Sequence, residues 1–164
     1  MQLTVKTSIK PLLLCAEDVN ISIHSAPNNF SRLLEVTRDN AGRIDIELRF
    51  WRKNRANLLT TKITTQLSFD CQRCLQQLQL NLFTTTDYLL VKSAPLDENV
   101  DYELLVLADD NLALHPLLED ELLLAVPHII KHDDCDFPSF KQELTEQNEQ
   151  RRENPFAVLA QLQN

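Results

Sequence analysis

The residues best suited to chemistry are two cysteines, Cys71 and Cys74, in the stretch Phe69-Asp70-Cys71-Gln72-Arg73-Cys74-Leu75. Their spacing is that of half a structural zinc site, which needs two further nitrogen or sulfur donors. The donors nearest by type are Cys135 with His132 or His128. Cys71, Cys74, His132 and Cys135 thus form a candidate four-coordinate zinc set, joining a Cys-x-x-Cys turn to a later His-x-x-Cys loop crowded by Asp133 and Asp134. The plainer reading is that the thiols are small buried hydrophobes in a reducing cell, and Cys71 shares strand parity with Phe69 and Leu67, which suits it. Thioredoxin-like redox chemistry needs a helix N-terminus after the pair to lower the thiol pKa, whereas strand-like sequence follows here; only Arg73 would favour a thiolate.

Hydrolytic chemistry finds less support. His24, His115, His128 and His132 have no catalytic motif around them, and neither Gly-x-Ser-x-Gly nor His-Glu-x-x-His is present. Glu119-Asp120-Glu121 resembles a carboxylate site, but acids at a helix N-terminus are common for electrostatic reasons alone. Gly42 is the only glycine. Phosphate-cradling loops need several, so a P-loop, a dinucleotide fingerprint and a kinase-type loop are excluded. We therefore expect no enzyme.

The Cys pair sits at the crest of a hairpin. Before it, Leu59, Thr61, Ile63, Thr65, Leu67 and Phe69 fall on one parity; after it, Leu78, Leu80, Leu82, Thr84, Thr86 and Tyr88 do the same. Such period-two alternation marks strands with one buried face. Ile44, Ile46, Leu48 and Phe50 predict another strand, as do Leu3 to Ile9, Val19 to Ile23 and Tyr102 to Leu107. Pro27-Asn28-Asn29 opens a short helix through Val36, and Pro116 heads a helix over Leu117 to Val126 whose first-turn acids suit the macrodipole, ended by Pro127. Asp39-Asn40-Ala41-Gly42, Arg52-Lys53-Asn54-Arg55 and Asp109-Asp110-Asn111 read as turns. The expected fold is α+β, an antiparallel β-sheet or partly closed barrel with about three short helices.

The 164 residues fit one domain and a tail. We divide them into an α+β domain over 1–140, a polar linker over 141–153 and an amphipathic helical segment over 154–164. In the last of these, Asn154 is a candidate cap, Pro155 takes the first helical position, and Phe156 and Leu159 share an apolar face. That face docks on the chain's own sheet or on another protein. The four cysteines do not form a disulfide framework, and the apolar run before Cys15 is too short for a signal sequence. No stretch reaches membrane-spanning length, and a reducing cytoplasm is expected.

Formal charge is −8, with a pI near 4.9. A strongly acidic chain repels nucleic acid at long range and favours basic partners. The charge is uneven: Arg32 to Arg73 holds nine Lys/Arg against five acids, and Ser93 to Ile130 holds nine acids and no Lys or Arg.

Three stretches in order, Asp70-Cys71-Gln72-Arg73-Cys74, then Leu118-Glu119-Asp120-Glu121-Leu122-Leu123-Leu124-Ala125-Val126-Pro127, then Asn154-Pro155-Phe156-Ala157-Val158-Leu159-Ala160, resemble the YceD family of large ribosomal RNA subunit accumulation proteins in its proteobacterial form. The resemblance implies a cytoplasmic ribosome-biogenesis factor that supports synthesis, processing or stability of 23S rRNA. It implies no catalytic residues and points to Arg73, to Glu119, Asp120 and Glu121, and to Phe156 and Leu159 as candidate binding positions. Joined to the charge, it leads us to expect that an acidic face holds a basic large-subunit ribosomal protein or assembly factor near precursor rRNA, with the RNA contact indirect and with neither membrane nor DNA as partner. The alternatives are direct rRNA binding through Arg49, Arg52, Lys53, Arg55 and Arg73, and a metal-assisted nuclease acting on rRNA precursors.

Overall fold

Strands that alternate apolar and polar residues need a sheet with one side covered, and the chain folds around one. The computed structural model describes residues 4–5, 7–93, 102–107 and 109–136. In chain order these form β1 (Ser8–Ile9), α1 (Pro11–Glu17), β2 (Val19–Ser25), a 3-10 turn (Pro27–Asn29), α2 (Ser31–Val36), β3 (Ile44–Lys53), β4 (Ala56–Asp70), β5 (Gln77–Val91), β6 (Glu103–Val106), β7 (Leu112–Ala113) and α3 (Leu114–Ala125). The strands β2-β3-β4-β5-β6 make one open sheet in that order, and β1 pairs with β7 in a second. The fold is α+β, with no closed barrel among the described residues. The linker and tail expected over 141–164, including Phe156 and Leu159, lie outside the described residues, as does most of the acidic turn after Ser93.

The alternating residues of β3 and β4 fill the core. Ile44, Ile46, Leu48 and Phe50 face inward beside Leu59, Ile63, Leu67 and Phe69, all buried. Thr61 and Thr65 share that face, and their hydroxyls donate to the carbonyls of Thr86 (3.4 Å) and Arg43 (2.9 Å), so neither is left unpaired. Helix α1 packs on β3 and β4, α3 on β5, and α2 on α3.

Three features depart from the sequence expectations. First, α1 was not anticipated: Pro11 stands at its first position, a start signal hidden because the apolar run around it reads as a truncated leader. Second, β6 pairs with β5 in parallel, Tyr88 opposite Glu103, whereas the other neighbours in the main sheet are antiparallel. Parallel pairing needs about a dozen residues between the strands, and eleven positions, 92–102, separate β5 from β6 in the sequence. Third, α3 begins at Leu114, ahead of Pro116. Pro116 still costs nothing there, because the first four N–H groups of a helix have no intrahelical acceptor. The acids at positions 119–121 consequently sit beyond the first turn, where the macrodipole no longer accounts for them.

The sheet's turns set the two ends of the long hairpin. Lys53 pairs with Ala56 across Asn54 (φ 49°) and Arg55 (φ 70°), both left-handed, the pattern of a two-residue type I′ turn. At about 3.3 Å per residue, the 15-residue β4 carries the chain about 50 Å to the opposite end, where Asp70 pairs with Gln77 around the cysteine turn. Gly42 (φ 128°) lets the backbone enter β3 close to β4; a Cβ there would stand 2.8 Å from the Gln66 carbonyl oxygen.

Candidate functional site

At the crest of the β4–β5 hairpin the backbone folds into a knuckle. The Leu75 amide donates to the Cys71 carbonyl and the Cys71 amide to the Gln76 carbonyl, both at 2.9 Å. Leu75 takes φ 61°, a conformation normally left to glycine or asparagine. The segment after α3, which ends where Val126 meets Pro127, returns over this knuckle, and the Gln72 amide donates to the Ile130 carbonyl at 2.8 Å.

The two loops bring Cys71, Cys74, His132 and Cys135 together, with one donor atom from each all lying within 4.8 Å of one another. Cys71 Sγ is 3.6 Å from Cys135 Sγ, and Cys74 Sγ is 3.4 Å from His132 Nδ1. His128, the other histidine considered, offers only its backbone carbonyl, 3.5 Å from Gln72 Nε2. The amides of Cys74 and His132 point at Cys71 Sγ from 3.5 and 3.4 Å. Burial alone would push the Cys71 thiol up, but these amides, with that of Arg73, outweigh it and draw the pKa down to about 5. The Gln76 amide pulls Cys74 down, yet burial and the neighbouring Cys71 and Cys135 prevail and leave that thiol raised.

Arg73 closes the cluster from outside. Its Nε donates to Cys135 Sγ at 2.9 Å, and Nη2 donates to the carbonyls of His132 (2.9 Å) and Asp133 (3.1 Å). The guanidinium is therefore engaged inside the protein. It also lies at the far end of the hairpin from Arg49, Arg52, Lys53 and Arg55, so the basic group proposed from sequence does not form one surface.

The three acids of α3 have three different fates. Glu119 is buried: Oε1 accepts the Arg32 amide (2.8 Å) and Oε2 accepts Arg32 Nε (3.0 Å). It thereby supplies the carboxylate cap that α2 lacks, since Phe30 at its N-cap has no side-chain oxygen. Burial would raise the Glu119 pKa, but the bonds from Arg32 win and hold it below the ordinary glutamate value. Asp120 is exposed and pairs with Arg32 Nη2. Glu121 is buried against β5 and accepts hydroxyls from Thr84, Thr86 and Tyr88. Of the three carboxylates expected to form an acidic docking face, two therefore turn inward, where hydrogen-bond donors meet them, and only Asp120 is exposed. Of the other acids after Ser93, Asp110 is paired with Lys92 at 2.9 Å.

Sequence reasoning missed the outer face of the sheet. Arg49 lies over the Trp51 ring, 5.3 Å from its centroid. Trp51 Nε1 donates to Thr60 Oγ1, which donates to Asp87 Oδ1 (3.2 and 2.6 Å). Asn20, Ser22 and Lys62 share this groove, and Phe83 stands 66% exposed farther along β5. The signal lay in the parity opposite to the core, where polar residues alternate with Trp51 and Phe83. Among the described residues no helix is long and apolar enough to cross a membrane.

No curated protein and no solved structure matches this chain. A protein-family model described as "Large ribosomal RNA subunit accumulation protein YceD" matches residues 59–163, which take in the cysteine hairpin from Leu59 onward, α3 and the returning loop. That span is more than half of the sequence, and the description concerns rRNA accumulation without naming a reaction. The chain belongs to the YceD family.

Proposed function

We propose that the protein supports accumulation of large-subunit rRNA without catalysing a reaction, by contacting the rRNA directly through the outer face of its sheet and the β3–β4 turn. The observation that carries this is the turn itself. Arg52, Lys53 and Arg55 project from one tight hairpin, all exposed, and among the described residues none pairs with a carboxylate. Arg55 occupies a left-handed position where glycine would fit without strain, so a charge is kept at a backbone cost. Beside the turn, Trp51 offers a ring on which a base can stack, with Arg49 adding a cation over it.

The second reading is a basic ribosomal protein or assembly factor as the direct partner. It is favoured by the net charge of −8 and by the exposed Glu103, Asp109, Asp133 and Asp136. Crosslinking in cells, with both RNA and protein partners identified, separates the two. Direct contact predicts 23S rRNA crosslinks that map to the β3–β4 hairpin and vanish when Arg52, Lys53 and Arg55 are all changed to serine. Crosslinks to a basic protein alone, unchanged by that variant, would establish the second reading in its place.

A further inference from the structure

We infer that Cys71, Cys74, His132 and Cys135 form a closed structural zinc site that pins the loop after α3 to the crest of the β4–β5 hairpin. Tetrahedral zinc, with bonds of about 2.3 Å to sulfur and about 2.0 Å to imidazole nitrogen, sets its thiolates about 3.8 Å apart and its sulfur and nitrogen about 3.5 Å apart. The corresponding separations here are 3.6 Å between Cys71 and Cys135 and 3.4 Å between Cys74 and His132 Nδ1.

The surroundings fit a metal better than they fit four unrelated side chains. His132 Nε2 is 3.2 Å from the Gln77 carbonyl, an acceptor that can only be met by an N–H. The ring proton is thereby fixed on Nε2, and Nδ1 is left with a lone pair 3.4 Å from Cys74 Sγ, the arrangement in which a second partner orients a metal-binding histidine. Amide donors from Cys74 and His132 converge on Cys71 Sγ, as they do where a sulfur carries negative charge. Zinc with three thiolates and one neutral imidazole leaves a net charge of −1. The Arg73 guanidinium, 2.9 Å from Cys135 Sγ, sits where that charge would be balanced. The left-handed Leu75 is explained as well: the turn must curl back so that Cys74 Sγ faces the same point as Cys71 Sγ, and a residue without glycine's freedom is held there by the site. Three soft sulfurs and one imidazole select zinc over magnesium, calcium or manganese, and four protein donors leave no open position for a water or substrate. On binding, the thiols still protonated release their protons to solvent, and no redox change occurs.

The full chain, purified under reducing conditions without chelator, should carry one zinc ion by native mass spectrometry. Exchange for cobalt(II) should give the intense visible d–d bands of a tetrahedral sulfur-rich site, together with thiolate-to-metal charge transfer. Cys74→Ser and His132→Ala, at two of the three half-buried ligands, should each weaken metal retention at least tenfold against a competing chelator. His132→Cys supplies a fourth thiolate and should keep one metal ion, with the cobalt bands moved to lower energy; it shows that loss in the alanine variant is loss of a ligand and not of the fold. Cys15→Ala, which alters the one cysteine outside the cluster, should leave retention unchanged. A reduced, folded chain that takes up neither zinc nor cobalt, or one whose metal binding survives both Cys74→Ser and His132→Ala, overturns the inference.

Discussion

Leu75 shows how a single residue reports on its neighbours. Its side chain is 63% exposed, so burial does not hold it, yet its backbone is left-handed at φ 61°. For an L residue other than glycine or asparagine that costs about 1 kcal/mol. Leu75→Asn should therefore raise stability by about 0.5–1 kcal/mol, read as a higher urea midpoint with an unchanged slope, while metal retention stays as in the parent chain. A lower midpoint would mean that the leucine side chain makes a contact that outweighs the strain. The four candidate donors, with His132 preferred to His128 for its His-x-x-Cys spacing, were legible in the sequence as residue types and spacings; the meeting of their two loops was not. It depends on the Gln72 amide docking on the Ile130 carbonyl, a contact between positions far apart in the chain.

At the scale of elements, α3 carries the clearest lesson. Its existence and its end at Pro127 could be read directly, but the fate of its acids could not. Exposure was inferred from charge, and a buried carboxylate becomes legible only when its donors are known: Arg32 for Glu119, and three hydroxyls of β5 for Glu121. Glu119 couples α3 to α2 by capping a helix that has no cap of its own. At pH 7, Glu119→Gln should cost about 1–2 kcal/mol, the worth of a hydrogen bond to a charged group less what the amide retains. The folded pKa of Glu119 is lowered, so its contribution is complete above the ordinary value of 4.5 and drains away as pH falls through the folded value. Urea midpoints of the parent and Glu119→Gln chains should thus differ by a constant amount from pH 8 to pH 6 and converge below pH 4.5. A gap that persists unchanged to pH 3 would show that the carboxylate charge is not its source.

Over the whole molecule, the alternating parities predicted the sheet well, because one buried face is enough to fix β3, β4 and β5 and their register. The same reading undervalued the opposite parity, since a polar outer face looks like ordinary solvated surface until three-dimensional neighbours place Arg49 on Trp51 beside a basic turn that pairs with no carboxylate among the described residues. That face must work against a net charge of −8, so any affinity for RNA has to be local and strongly dependent on salt. Each phosphate neutralised contributes about 0.7 to the slope of log K against log salt for single strands and about 0.9 for duplex. Replacing Arg52, Lys53 and Arg55 with serine should therefore flatten the slope by about 2–3 with an rRNA fragment. Arg55→Gly separates function from folding more sharply. It removes one charge and relieves the left-handed strain at φ 70°, so it should weaken RNA binding at low salt while raising stability by up to about 1 kcal/mol. The two effects have opposite signs, and a variant that merely damaged the fold would lose both. If the glycine variant is stabilised and binds rRNA with unaltered affinity and slope, Arg55 makes no phosphate contact and the RNA-binding role of the turn loses its main support.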